Sequence, residues 1–263
     1  MFNRNEIKVG FNEFSYSEIY KPICDVYPIT PAKKIEKPWW KIMKTHYDLF
    51  FHKRRREFAE KDPTLKYCPA IYDFTNYGYI VPAWQDFKFF VDDDGRIDLM
   101  VPLAMEKANN VKSHSKEQVD TCPILDNSAN DILKIVSPWL ISTPAGTSLM
   151  MCKPFYHYSN DFDVCPGVLD SDIEFLLPNH EINIMLRFNV KNKLIHIKAG
   201  QPLIQLIPFK RTNWKLKSWQ IDKSYKDKII KNLIKTDNRF EKRITDKDSM
   251  RDFRQDDSNK KFE

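Results

Sequence analysis

Between residues 181 and 190 apolar and polar side chains alternate, with Ile182, Ile184, Leu186, Phe188 and Val190 on one face and Glu181, Asn183, Met185, Arg187 and Asn189 on the other. A period of two with one apolar face predicts a half-buried antiparallel strand. Two further apolar runs follow at 194–197 and 203–209, with Gly200 between them. The stretch 167–209 therefore predicts strand, turn, strand, turn, strand: a β-meander rather than a βαβ unit.

The same reading extends over the chain. Residues 79–91 and 96–101 predict a hairpin joined at Asp92-Asp93-Asp94-Gly95, because Asp-Gly tolerates the positive φ that tight turns need. The sheet resumes at 132–141 and 148–155, where Pro138 marks a bulge or an edge. Trp39, Met43, Tyr47, Phe50 or Phe51, and Phe58 are spaced for a helix from Trp39 to about Glu60. A second helix is predicted at 222–235, capped by Asp222, and residues 69–78 predict a short helix or loop opened by Pro and closed by Gly. Pro22, Pro28, Pro31 and Pro38 forbid a long helix near the start and predict an extended arm over the chain's own core or a neighbour. The polar stretch 103–131 reads as an insertion of loop with some helix, and the charged stretch from Thr236 as a mobile tail. The expected organisation is a mainly β fold with an antiparallel core at 67–219. It follows an arm and basic helix at 1–66 and precedes an amphipathic helix and tail at 220–263.

Composition narrows the function. The chain has 263 residues, 42% of them hydrophobic, enough for a sizeable core. Only 6 glycines stand against 16 prolines, and neither a dinucleotide-binding fingerprint nor a P-loop occurs. Cys24, Cys68, Cys122, Cys152 and Cys165 form no CxxC pair and no zinc spacing, so reduced thiols in a cytosol-like compartment are expected, and no metal site is expected. No run of 18 apolar residues exists, so no membrane partner is expected. The carboxylates at 92–94 fail the EF-hand spacing, and His157 lacks the partner two residues on that an iron triad needs.

The net charge of +6 is mild, and two clusters concentrate it. Lys53, Arg54, Arg55 and Arg56 lie beside Phe50, Phe51 and Phe58, as a phosphate-backbone contact or a solvated last helical turn. Lys210 and Arg211 precede Trp214 and Trp219, whose indoles either stack on bases or seal a sheet edge; sealing is the expectation.

Gly167-Val-Leu-Asp170-Ser-Asp172, followed by strands and then Ile197-Lys-Ala-Gly200-Gln-Pro-Leu-Ile-Gln205-Leu-Ile207, resembles the third and fourth motifs of the dUTPase and dCTP deaminase superfamily. Thr143-Pro-Ala-Gly146-Thr-Ser resembles the turn that opens that family's second motif, in the right order. The resemblance implies a β-clip core with helical additions at both ends. It implies a homo-oligomer, a trimer above all, whose sites lie between subunits. It makes Asp170, with Asp172, the carboxylates that would position and activate water, and Gln205, Gly200 and Gly146 the ligand-binding positions. Were that activity present, Mg²⁺ would enter as the nucleotide's counter-ion; no other cofactor is implied.

The chain departs from the family pattern at three places. Ile173 replaces the aromatic that packs on the sugar, Lys153-Pro154-Phe155 stands where the family has Arg-Ser-Gly, and no glycine follows Gly200 to build a phosphate-covering arm. The KPWWK start and QLIPFKRTNW close also resemble a group of marine bacteriophage proteins, a resemblance that brings no activity with it but implies a host-cell cytoplasm or virion location. Three readings result: a β-clip protein with lapsed catalysis and a structural or ligand-binding role, in which a nucleotide or a virion is the partner; a nucleotide hydrolase or deaminase using Asp170; and a nucleic-acid-binding protein.

Overall fold

The computed structural model describes residues 6–11, 22, 24–44, 46–47, 62–100, 111–114, 116–119, 131–154, 160–172, 182–218, 223 and 226–227. Its strands, in chain order, are β1 (Lys8–Phe11), β2 (Thr30–Pro31), β3 (His46–Tyr47), β4 (Asp62–Pro63), β5 (Tyr79–Pro82), β6 (Phe87–Val91), β7 (Ile97–Leu99), β8 (Val111–His114), β9 (Ile132–Val136), β10 (Trp139–Ser142), β11 (Thr147–Cys152), β12 (Phe162–Val164), β13 (Gly167–Leu169), β14 (Asn183–Phe188), β15 (Lys193–Ile197) and β16 (Pro202–Lys210). The fold is mainly antiparallel β. The chain divides into two compact units, Met1–Glu36 with Thr75–Thr212, and Lys37–Phe74 with Asn213–Glu263.

The first unit holds a five-stranded sheet in the order β13-β11-β16-β5-β2, a four-stranded sheet β12-β14-β9-β8, a three-stranded sheet β15-β6-β7 and the pair β1-β10. These sheets bury one shared core. In β14, Ile184, Leu186 and Phe188 point inward and are fully buried, as the alternation predicts. Phe188 packs on Phe89 with ring centroids 5.1 Å apart, and Trp84 meets Phe87 and Trp139 edge-on at 5.2 and 5.5 Å. Burying each such side chain contributes roughly 1.5–3 kcal/mol over leaving it in water. The β6–β7 hairpin forms as expected: Gly95 takes φ 82° and its N–H donates to the Asp92 carbonyl at 3.1 Å.

Four expectations are corrected. Strands β14, β15 and β16 do not form a meander, for β14 pairs with β12 and β9, β15 with β6, and β16 with β11 and β5. The turns between them are anchored elsewhere: the Asn192 N–H donates to Asp92, the Gly200 N–H to Ala83, and the Ala83 N–H to Gln201. Each strand is thereby delivered to a different sheet.

Of the helix predicted over 39–60, the described residues form a helix at Pro38–Ile42, in the second unit, and leave it by Met43; residues 48–60 lie outside the described residues. Met43 turns to ψ 130°, and β3 pairs with β4. Hydrogen bonds from Lys66 to the Met43 carbonyl and from Thr64 to the Lys44 carbonyl hold the chain extended there, overriding the helical spacing. The basic cluster Lys53, Arg54, Arg55 and Arg56 lies outside the described residues, as do His157, Ile173, Trp219 and nearly all of the predicted helix at 222–235. The polar insertion contributes a sheet strand, β8, paired with β9. Finally, Trp214, expected to be covered at a sheet edge, is 90% exposed.

The arm does drape over its own unit. β1 pairs with β10, β2 with β5, and Cys24 and Ala32 are buried. The segment 69–78 is a helix over Pro69–Asn76, with Gly78 at φ 77° just past its end.

Candidate carboxylate and guanidinium site

Three neighbouring strands bring the turn at Asp170 and Asp172, the turn at Gly146 and the end of β16 to one place. In the register of β11 with β13, Leu149 faces Leu169, so Ser148 faces Asp170 one step further. In the register of β11 with β16, Thr147 faces Lys210, and the next step sets the Arg211 N–H on the Gly146 carbonyl at 2.8 Å. Gly146 turns the chain into β11 with φ 75°, and the Thr147 N–H closes that turn on Pro144 at 3.0 Å. A positive φ at the third residue of a turn is what glycine supplies without strain.

The side chains then interlock. The Ser148 hydroxyl donates to Asp170 Oδ1 at 2.5 Å, and Arg211 Nη1 donates to Ser148 Oγ at 2.9 Å. The same Nη1 lies 3.0 Å from Asp170 Oδ1 and donates to Asp172 Oδ1 at 2.8 Å, while Nη2 donates to Asp172 Oδ2. The Gly146 N–H adds a third donor to Asp172 at 2.8 Å. The Asp172 side chain is only 8% exposed, and this bidentate guanidinium with a backbone N–H is what makes burial of its charge tolerable.

Both carboxylates are held below the usual range. For Asp170 the Ser148 hydrogen bond is the main cause and Arg211 the second; for Asp172 the Arg211 hydrogen bond leads. Arg211 is raised in turn, chiefly by Asp172. A general base at neutral pH needs the opposite arrangement, a carboxylate pushed upward by burial or a like charge. A cation at this pair would have to displace the guanidinium. Among the described residues no three His, Cys, Asp or Glu side chains converge to hold a metal ion.

The other positions that the sequence resemblance marks for ligand binding lie apart from this cluster. Gln205 is buried, four residues before Phe209 on β16, and its side-chain amide donates to the Tyr77 carbonyl at 2.8 Å. Gly200, at φ 81°, packs under the Tyr27 ring, where a Cβ would come within 2.8 Å. Lys210 is exposed. Arg211, read in the sequence as a nucleic-acid contact, is taken up by the two aspartates.

A second polar cluster was not foreseen as a unit. Asp163 lies opposite Arg187 across β12 and β14, and accepts from Lys153 Nζ at 2.5 Å, Arg187 Nη2 at 2.9 Å and Asn189 Nδ2 at 2.8 Å. Burial pushes this carboxyl up, but the three donors outweigh it and bring it down to about 2. The signal for it was the cross-strand pairing, which no spacing in the chain reveals.

No family model matches the chain, and no curated protein matches it. Among solved structures the chain is similar to a dUTPase from phage phi11 of S. aureus, with 11% identity, 57% of this chain and 86% of that chain covered, and a TM-score of 0.32. It is also similar to a dUTPase of Staphylococcus bacteriophage 80alpha in complex with dUpNHpp, with 10% identity, 56% and 87% covered, and a TM-score of 0.29.

Proposed function

We propose that the chain is a β-clip protein in which the acidic turn serves structure instead of water activation, so that its role is structural or ligand-binding. The observation that supports this reading is the occupancy of Asp170 Oδ1. Ser148 and Arg211 both claim that oxygen, and their donors favour the ionised carboxylate and weaken it as a base. The ordered motifs from Gly146 to Gln205 support the β-clip assignment. The partner fitting such a scaffold is further copies of the chain, with three copies favoured. The outer face of the five-stranded sheet supports this, since Val168, Met150 and Phe209 are 57%, 38% and 40% exposed beside the aspartate cluster. Light scattering at micromolar concentration that finds only monomer removes the oligomeric part.

The test of the main reading is turnover. The purified chain is incubated with dUTP and with dCTP, with Mg²⁺ present, and no hydrolysis or deamination is expected from the wild type or from Asp170→Asn. Turnover by the wild type that falls by on the order of 10² or more in Asp170→Asn, at an unchanged melting temperature, establishes the enzyme reading in its place.

A further inference from the structure

We infer that the segment immediately after β16, centred on Trp214, Lys215, Leu216 and Lys217, is a binding strip for single-stranded nucleic acid. Trp214 is 90% exposed and Leu216 entirely so, in a stretch, residues 211–218, that forms no helix or strand. Leaving an indole and a leucine in water forfeits the burial that drives folding, so this chain presents them outward at a cost. Lys215 and Lys217 make no ion pair or hydrogen bond within the described chain, and both are exposed. No Asp or Glu occurs in the sequence between Glu181 and Asp222, so no acidic neighbour in this part of the chain neutralises them.

The charge and the ring together select the partner. An indole open to solvent can stack on a base of any identity, and exposed ammonium groups one residue to either side of Leu216 can meet successive phosphates. A duplex keeps its bases stacked on each other and offers no open face to the indole, which is why a single strand fits and a duplex does not. An apolar surface on another protein would use Trp214 and Leu216 but would gain nothing from the two lysines. A bilayer interface would call for more apolar residues than two.

The test uses the full-length protein and a fluorescently labelled fifteen-nucleotide oligo-dT, read by anisotropy over a range of salt. Binding is expected at low salt and is expected to weaken as salt rises, with duplex DNA competing poorly. Trp214→Ala is expected to weaken binding by about tenfold or more, the usual loss for one stacking platform. The double variant Lys215→Ser with Lys217→Ser is expected to reduce the slope of log affinity against log salt by roughly 1.4, the value for two phosphate contacts on a single strand. All four side chains are exposed, so circular dichroism is expected to be unchanged. No binding at low salt overturns the inference, as does affinity that Trp214→Ala leaves intact or a salt slope that the lysine variant leaves intact. Oligonucleotide-independent self-association, or binding to anionic phosphatidylserine vesicles, that is lost in Trp214→Ala while oligo-dT binding is absent also overturns it.

Discussion

Arg211 grips Asp172 with both of its terminal nitrogens, Nη1 to Oδ1 at 2.8 Å and Nη2 to Oδ2, while Nη1 also stands 3.0 Å from Asp170 Oδ1. One guanidinium thus fastens the residue just past β16 to the turn that follows β13, across the intervening strand β11. A planar fork with donors on two nitrogens can grip both oxygens of one carboxylate and still reach a second, whereas a lysine offers its donors from a single nitrogen and has no such fork.

That difference sets the first prediction. Arg211→Lys keeps the charge but is expected to lower the melting temperature by about 2–4 °C, and Arg211→Ala by more. Asp172→Asn in the Arg211→Ala background is expected to recover part of the loss, because it removes the charge that Arg211 had compensated. Differential scanning fluorimetry decides it; equal melting temperatures for Arg211→Lys and the wild type mean that the bidentate geometry contributes nothing.

Two glycines with similar backbone angles separate strain from collision. Gly146 has φ 75° and open space where a Cβ would stand, so Gly146→Ala is expected to cost about 1 kcal/mol, the left-handed penalty alone. Gly78 has φ 77°, but its Cβ would lie 2.1 Å from the Leu206 carbonyl oxygen in β16, which cannot yield without disturbing the pairing with β5. Gly78→Ala is expected to cost more than about 2 kcal/mol, measured by urea unfolding at equilibrium. Comparable losses at the two sites refute this account.

Phe188 closes the alternating strand and is fully buried between Phe89 and Phe162, whose rings lie 5.1 and 6.5 Å from its own. Phe188→Ala removes the ring that joins the four-stranded sheet to the three-stranded one. The expected loss is about 3–5 kcal/mol. A loss below about 1 kcal/mol in the same urea measurement shows that the surrounding side chains close the space.

How far these features could be read from the sequence depends on the range of the interaction. The inward face of β14 was legible, because alternation is local and Ile184, Leu186 and Phe188 each report it. The Asp92 to Gly95 turn was legible for the same reason. Strand partnership was not: 194–197 and 203–209 look like neighbours of β14, yet hydrogen bonds from Asn192 and Gly200 to distant carbonyls send them to other sheets. The helical spacing from Trp39 was overruled at Met43 and Lys44 by hydrogen bonds from Lys66 and Thr64, 23 and 20 residues further along the chain. At the candidate site, Asp170, Asp172 and Gly146 were marked by their motifs, whereas Ser148 and the role of Arg211 required the register of β11 with both β13 and β16. Gly200 and Gln205 were marked too, and the fold uses each in a turn or a buried backbone contact.

The last prediction concerns acid and Asp163. Its carboxyl lies at about 2 in the folded chain, against an ordinary value near 3.8, because the donors from Lys153, Asn189 and Arg187 overcome its partial burial. A depressed folded-state value means that the folded chain holds the ionised form more tightly than the unfolded chain does. The stabilisation is therefore fully present above the unfolded value and is lost as pH falls from about 4 toward 2. Asp163→Asn cannot ionise, so it is expected to be less stable than the wild type at pH 7, with the gap shrinking steadily below pH 4. Asp170 and Asp172, also depressed, titrate in both proteins and cancel in the difference. The Asp163 side chain is 36% exposed, so water and salt screen its pairing, and the gap at pH 7 is expected to narrow in 1 M NaCl, where the screening length falls to about 3 Å. Urea unfolding of both proteins at pH 7 and pH 3, with and without salt, measures it. A gap of the same size at both pH values shows that the amide has changed packing or hydrogen bonding alone, and that the charge cluster on β12 and β14 does not stabilise the fold through ionisation.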